Sequence, residues 1–397
     1  MRRTFAVLAC VAALAACDSA PEPLTPRSPS GPATGSQTGL IPGRYIVTLS
    51  DDADPRSVAL QYGIQPTHVY ETVLTGFAGE ISEVALQALR LDGRVQRIEQ
   101  DGIIVATTTQ SPVTWGLDRI DQQALPLNGS YTYNHDGSGV TAYIIDTGIR
   151  YDHAEFGGRA SFGIDMMPDS ATQQGSDCHG HGTHVAGTVG GTTYGVAKDV
   201  DLVAVRVLGC NGSGSFSGII GGMDWVADNA SLPAVANMSI GSLLPQRSST
   251  VDQATSNLIA AGVTVVLAAG NGIPNGGVGI DACSGAPGGH PLAITVGATD
   301  KTDTKTVWSN YGSCVTLFAP GSSIVSAGYS SSTASATMSG TSMASPHVAG
   351  VAALYLQQDT AATPATVKAA LSNGASQGVV KNSLSVNNHL VYSLVTP

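Results

Sequence analysis

Apolar and polar residues change rhythm along the chain near residue 108. Before it, from 41 to 107, short β-like and helix-like patterns follow one another. Arg44-Tyr45-Ile46-Val47-Thr48-Leu49 predicts a strand, and residues 55–62 predict a helix stopped by Gly63. Residues 68–81 are β-prone but interrupted at Gly76 and Gly79, which predicts two strands or one bent strand. Ser82 then caps a helix with the apolar set Val84, Ala85, Leu86, Ala88 and Leu89, ending at Gly93. Residues 95–105 close with another strand. The resulting βαββαβ order is the split ferredoxin-like arrangement. A unit of roughly 65 residues is marginal alone and is expected to lean on a partner surface.

From residue 114 on, apolar runs alternate with helical patterns. Strands are predicted at 140–145, ending at Asp146, and at 202–208, 235–240, 263–269 and 292–298. Helices are predicted at 217–229, at 248–261 and after Pro364. Buried strands alternating with helices imply an α/β domain: a parallel sheet covered by helices on both faces. Ligands of such sheets sit beyond the carboxyl ends of the strands, where Asp146, Ser239 and Asn271 fall. Near the end comes Gly340-Thr341-Ser342-Met343-Ala344-Ser345-Pro346-His347, continuing apolar to Leu356 without Lys, Arg, Asp or Glu. An uncharged helix belongs in the interior. Pro346 is expected in its first turn, where a missing N–H removes nothing. Ser342 then sits at the positive end of the dipole, as a helix cap or as a nucleophile whose developing charge is stabilised.

Composition narrows the reading. A chain of 397 residues suggests two folded units plus a leader. The net charge of −11 argues against a nucleic-acid partner, because no basic stripe is present to neutralise phosphates. Met1-Arg2-Arg3 followed by apolar residues 5–16 reads as a secretory signal, too short to span a bilayer. Leu14-Ala15-Ala16-Cys17 resembles a bacterial lipobox, which implies Cys17 as the lipidated residue and a membrane-anchored precursor; cleavage at Ala13-Leu14-Ala15 is the alternative. Residues 18–40, rich in Pro, Ser, Thr and Gly, form a linker. In an exported chain Cys178, Cys210, Cys283 and Cys314 suggest two disulfides among three pairings, and no Cys-x-x-Cys spacing supports zinc.

Four residues carry the candidate chemistry. Asp146 ends a buried strand, where a carboxylate needs partners or caps the next turn. His181 lies in Asp177-Cys178-His179-Gly180-His181-Gly182-Thr183-His184. Three histidines in six residues raise zinc as a rival, but the His-Glu-x-x-His base is missing. Asn271 closes Ala268-Ala269-Gly270-Asn271-Gly272, as a turn residue or as an amide donor to an oxyanion. Together with Ser342 they occur in the order Asp, His, Asn, Ser, which is the subtilisin order and not that of α/β-hydrolases.

At these residues the chain resembles the subtilisin-like serine proteases, in the branch of proteinase K and aqualysin. The resemblance also rests on Trp115-Gly116-Leu117-Asp118-Arg119-Ile120, Tyr194-Gly195-Val196-Ala197-Lys198 and Ser309-Asn310-Tyr311-Gly312-Ser313-Cys314. It implies a peptidase domain over 108–397 with Ser342 as nucleophile, His181 as base, Asp146 as orienting carboxylate and Asn271 in the oxyanion hole. It implies that residues 41–107 are a small α+β inhibitory prodomain, cut away near Thr108, with the tail Ile104-Val105-Ala106-Thr107 in the cleft. Gly212, Ser213, Gly214, Ser239, Ile240 and Gly241 match the strands that pair with substrate, and Phe216 a distant subsite. Ala268, Ala269 and Gly270 match the walls for the residue before the cut, so apolar and aromatic side chains are expected there. The branch pairs Cys178 with Cys210 and Cys283 with Cys314. Asp118, Asp121 and Gln122, with Asn128 nearby, match a structural calcium site. Thr316, where relatives carry an aspartate, removes a ligand of a second one; Ser242 and residues 166–174 also depart from the pattern. The implied protein is an exported, self-processing zymogen that acts on proteins and peptides as a monomer. It carries no catalytic metal, and its own prodomain is its inhibitor.

Overall fold

The computed structural model describes residues 40–102, 108–167, 175–273 and 276–396. The expectations for the signal, Cys17, the linker and the tail 104–107 lie outside these residues. In the first segment β1 (Leu40–Leu49), α1 (Pro55–Gln61), β2 (His68–Tyr70), β3 (Gly76–Glu80), α2 (Glu83–Leu89) and β4 (Val95–Gly102) follow in the predicted order. The stretch from 68 to 81 is two strands, and the four strands form an antiparallel sheet ordered β2-β3-β1-β4. Asp54 and Ser82 cap the helices by accepting from backbone N–H groups one turn on. Val47, Leu49, Val58, Phe77, Leu86 and Leu89 form a small core of its own.

The second segment opens with β5 (Thr108–Gln110), α3 (Trp115–Ile120) and β6 (Tyr131–Tyr133), with β5 and β6 paired. It continues through β7 (Thr141–Asp146), β8 (Ala160–Asp165), α4 (His181–Gly190), β9 (Asp201–Arg206) and α5 (Phe216–Asn229). Next come β10 (Ala234–Met238), α6 (Ser249–Ala260), β11 (Thr264–Ala268), β12 (Ile294–Thr299) and β13 (Leu317–Pro320). The chain closes with the hairpin β14 (Ile324–Ala327) and β15 (Ser335–Met338), then α7 (Thr341–Gln358) and α8 (Pro364–Gly374). Seven strands form one parallel sheet ordered β13-β12-β11-β10-β7-β9-β8.

Strand alternation divides the core in two. Ala142 and Ile144 of β7 pack with α4 and α7 on one face, whereas Tyr143 and Ile145 pack with α5 and α6 on the other. Helix α7 is buried from Thr341 to Leu356 except at Ser342, as its lack of charge predicts. Pro346 corrects one expectation, because it stands inside this helix and not in its first turn. Its ring removes the N–H that would reach the carbonyl of Ser342. That carbonyl accepts instead from the Ser239 hydroxyl at 2.8 Å, so the interior proline leaves no orphaned acceptor. Disulfides join Cys178 to Cys210 and Cys283 to Cys314, the pairing the resemblance implies. The first ties the turn before α4 to the loop after β9.

Candidate active site

Asp146 is the last residue of β7, fully buried at the carboxyl edge of the sheet. Its Oδ1 accepts from the Thr147 N–H at 2.8 Å and meets His181 Nδ1 at 2.7 Å. That contact assigns the proton to Nδ1 and leaves Nε2 as an acceptor. Burial pulls the His181 pKa down, but the charge and hydrogen bond of Asp146 outweigh it, with Asp177 behind. The net pKa lies above the ordinary histidine value.

His181 is held by residues that its own motif conceals. It opens α4, whose N-cap is a glycine with no side chain to offer. Asp177 substitutes from outside the helix. One of its oxygens accepts from the N–H groups of His179 and Gly180, and the other from the N–H and hydroxyl of Thr183. The Thr147 hydroxyl donates to Asp177 at 2.9 Å and accepts from the Gly182 N–H at 2.9 Å. The turn after Asp146 is thereby fastened to the helix start that carries His181. Gly182 has to be glycine, because a Cβ there would run into the Gly148 carbonyl oxygen.

Ser342 is the second residue of α7, so its N–H has no intrahelical acceptor and faces outward along the dipole. Its hydroxyl donates to the Ser239 carbonyl at 3.0 Å, so it is not a cap. Beneath it lies a buried polar network. Ser239 Oγ lies 2.9 Å from Ser345 Oγ and accepts from the Asn237 amide, whose oxygen accepts from Ser345. The sequence signal for it is Asn237, a polar residue in the otherwise apolar strand β10. Asn271 Oδ1 accepts from both the N–H and the hydroxyl of Thr341, at 2.8 and 2.9 Å. The amide is thus oriented with its NH2 group turned toward the cleft it lines.

His181, Ser342 and Asn271 lie where two depressions meet. One is a cleft of about 790 Å³ that also includes Gly212, Ser213, Gly214, Phe216, Ser239, Ile240, Gly241, Ala268 and Gly270 in its walls. The other, of about 490 Å³, lies on the side of Trp308, Met338 and Met343. Ala269 departs from expectation. As the neighbour of two cleft residues it points the other way, into a core cluster with Ala282, Val315 and Phe318.

The zinc alternative finds no support, since among the described residues no three His, Cys, Asp or Glu groups stand together as a metal site. His184 instead points inward, with Nε2 3.0 Å from the Ile324 carbonyl, and burial lowers its pKa to about 4.

The predicted calcium residues fall on and just after α3. Asp118 accepts from the N–H groups of Asn128 and Gly129, and Asp121 Oδ2 accepts from the Thr132 N–H. Asp121 Oδ1 is buried with no hydrogen-bond partner. Burial, with the Asp118 charge adding to it, raises the Asp121 pKa to about 6. An orphaned carboxylate oxygen beside a second carboxylate fits a hard cation. Gln122 donates its amide to the carbonyls of Ala124 and Pro126, and Asn128 turns onto Ser130. At the second location Thr316 is buried and its hydroxyl accepts from the Thr295 N–H.

Comparison with known proteins gives concordant findings. A family model described as the subtilase family matches residues 137–392. The chain is 49% identical over 395 residues to the extracellular serine proteinase of Thermus sp. (strain Rt41A), covering 93% of each sequence. It is 49% identical over 265 residues to proteinase T of Parengyodontium album, covering 65% of this chain and 85% of that one. A solved cold-adapted subtilisin-like serine proteinase superposes with a TM-score of 0.67 at 52% identity, over 72% of this chain and all of that one.

Proposed function

The chain belongs to the subtilase family, and from that premise we propose how this secreted serine endopeptidase works residue by residue. The observation that carries the proposal is the 2.7 Å contact between Asp146 and His181 at a cleft that Ser342 and Asn271 share.

Ser342 Oγ, whose hydroxyl donates to the Ser239 carbonyl in the free enzyme, turns from that acceptor and attacks the peptide carbonyl carbon while its proton passes to His181 Nε2. Asp146 holds Nδ1–H and offsets the positive charge that the ring acquires. The carbonyl oxygen, now anionic, takes hydrogen bonds from the Asn271 amide and the Ser342 N–H. His181 then gives its proton to the departing amine, leaving an acyl ester on Ser342. Water adds to the ester with His181 again as base, and the product acid leaves. Small walls at Ala268 and Gly270 favour apolar or aromatic side chains before the cut.

The finer points belong to the same proposal. Residues 41–107 act as an inhibitory prodomain, removed near Thr108 by the enzyme itself. The precursor carries a signal and is lipidated at Cys17, and incorporation of a fatty-acid label tests this. Asp118 and Asp121, with Gln122 beside them, would hold a calcium ion, which would supply structural cross-linking and no catalytic step.

A serine-directed phosphonate should label one residue, Ser342, and abolish cleavage of an unfolded protein substrate. Ser342→Ala should lower kcat on the order of a million-fold, the magnitude known for subtilisin, and should accumulate uncut precursor. N-terminal sequencing and a protease assay read both. Full activity in the variant would remove the mechanism.

A further inference from the structure

We infer that Asn310 is a positioning residue of the oxyanion hole: it holds the backbone that carries Asn271 and takes no part in the chemistry itself. The inference rests on the reading of Asn271 as an oxyanion donor and extends it to the residue that fixes that donor in place.

Asn271 stands in a turn that its own sequence leaves loose. It follows β11 between Gly270 and Gly272, both in the left-handed region at φ +100° and +73°. Glycine reaches that region without strain, but it leaves the backbone on either side of Asn271 unrestricted by side chains. Thr341 holds the turn from one side, through the Asn271 side-chain oxygen and the Gly270 N–H. Asn310, in the loop between β12 and β13, holds it from the other. It is only 7% exposed, and its amide is engaged at both ends. Nδ2 donates to the Ala269 carbonyl at 2.8 Å, and Oδ1 accepts from the Gly272 N–H at 3.0 Å. The Asn310 N–H donates to the Gly270 carbonyl at 3.0 Å. One residue therefore bridges the main chain from before Asn271 to after it.

Two further contacts show how closely the turn is fitted to this amide. A Cβ on Gly270 would run into Asn310 Nδ2, so the glycine admits the clamp as well as the turn. Oδ1 also accepts from the Ile280 N–H at 3.0 Å, which anchors the clamp to the chain beyond the turn. The consequence for catalysis is positional. An oxyanion donor acts only if its N–H meets the place the oxygen takes in the transition state, and a misplacement of about 1 Å can cost about 100-fold. Between two glycines Asn271 lacks that precision by itself. Thr341 supplies it to the side chain, and Asn310 supplies it to the main chain.

The test is a double-mutant cycle on enzyme made from the full chain, with steady-state kinetics on one peptide substrate. Asn310→Ala should lower kcat about 10- to 100-fold with KM little changed, a smaller loss than that of Asn271→Ala. The two losses should not multiply. In the Asn271→Ala background, Asn310→Ala should move kcat less than about twofold, because the group it positions is gone. A merely structural role would instead carry its full loss into either background. Asn310→Asp provides a second variant of nearly the same shape. It keeps the acceptor for Gly272 and Ile280 but loses the N–H donor to Ala269, and it should lower kcat in the same non-multiplying way. Losses that multiply, a rise in KM with kcat unchanged, or failure of both variants to fold would overturn the inference and leave the endopeptidase reading intact. Full kcat in Asn271→Ala would overturn the oxyanion reading on which it rests.

Discussion

The chemistry at single residues turns on where each proton is held. His181 must be neutral to accept the serine proton, and its pKa is raised because Asp146, reinforced by Asp177, outweighs burial. Activity is therefore complete above that raised pKa and is lost as pH falls through it. The acid limb of kcat/KM should have its midpoint above the ordinary histidine value of about 6.5. Asp146→Asn should lower kcat on the order of 10⁴-fold, as for the analogous change in the serine-protease triad. A limb centred below 6.5 in the wild type would contradict the electrostatic account. Asn271 makes a separate contribution. Its carbonyl oxygen is taken up by Thr341, so only its NH2 faces the cleft. Asn271→Ala should cost kcat on the order of 100- to 1,000-fold with KM little changed, because the donor acts on charge that develops only in the transition state. Steady-state kinetics distinguishes this from a binding defect, which would raise KM.

Elements place these residues, and two helices also carry a response to acid. His184 on α4 and His347 on α7 are buried and neutral, and burial lowers each pKa to about 4. Both rings have carbonyl partners, Ile324 for His184 and Met343 for His347, and each is a positive neighbour to another ring once protonated. The unfolded chain takes up these protons at about 6.5. Between about 6.5 and 4 it binds more protons than the folded state, so stability is complete above that window and falls as pH drops through it. Each ring can cost on the order of 3 kcal/mol by pH 4. Denaturant midpoints of phosphonate-blocked enzyme should decline across this range, and His347→Gln should flatten the slope. Equal slopes would show that other groups govern acid unfolding. Much of this architecture was legible in the sequence, because a buried parallel strand is a plain apolar run and α7 is uncharged on every side. The position of Pro346 was not, since tolerating it depends on Ser239, a hundred residues away in sequence. Ala269 was misread for a related reason: matching a motif does not say which way a side chain points once a strand has ended. Asp177 and Ser345 stood in the sequence only as polar residues beside His181 and Ser342, and Asn237 only as a polar interruption of an apolar strand, their roles set by contacts between separate elements.

At the scale of the whole molecule, the end of α3 holds a buried carboxylate that the catalytic chemistry does not use. α3 is anchored through a buried Arg119–Asp303 pair, and beside it Asp121 keeps one oxygen without a partner. Its pKa of about 6 exceeds the ordinary carboxyl value, so the folded state holds this proton more tightly than the unfolded chain does. Without a cation, stability should therefore decline as pH rises from about 4 through 6, opposite in sign to the histidine effect. A calcium ion would reverse this by pairing with the ionised form. At a hundredfold excess over its Kd it would contribute about 2.7 kcal/mol, or roughly 4–5 °C in Tm for a domain of this size. Chelator added to phosphonate-blocked enzyme at pH 8 should lower Tm by that amount, and calcium should restore it. Asp121→Asn separates this from general damage, because it removes the disfavoured charge while its side-chain oxygen can still accept from Thr132. The variant should match or exceed chelated wild type in Tm and should no longer respond to calcium. A variant that kept the full calcium response would show that Asp121 is not a ligand, whatever stabilisation calcium brings elsewhere.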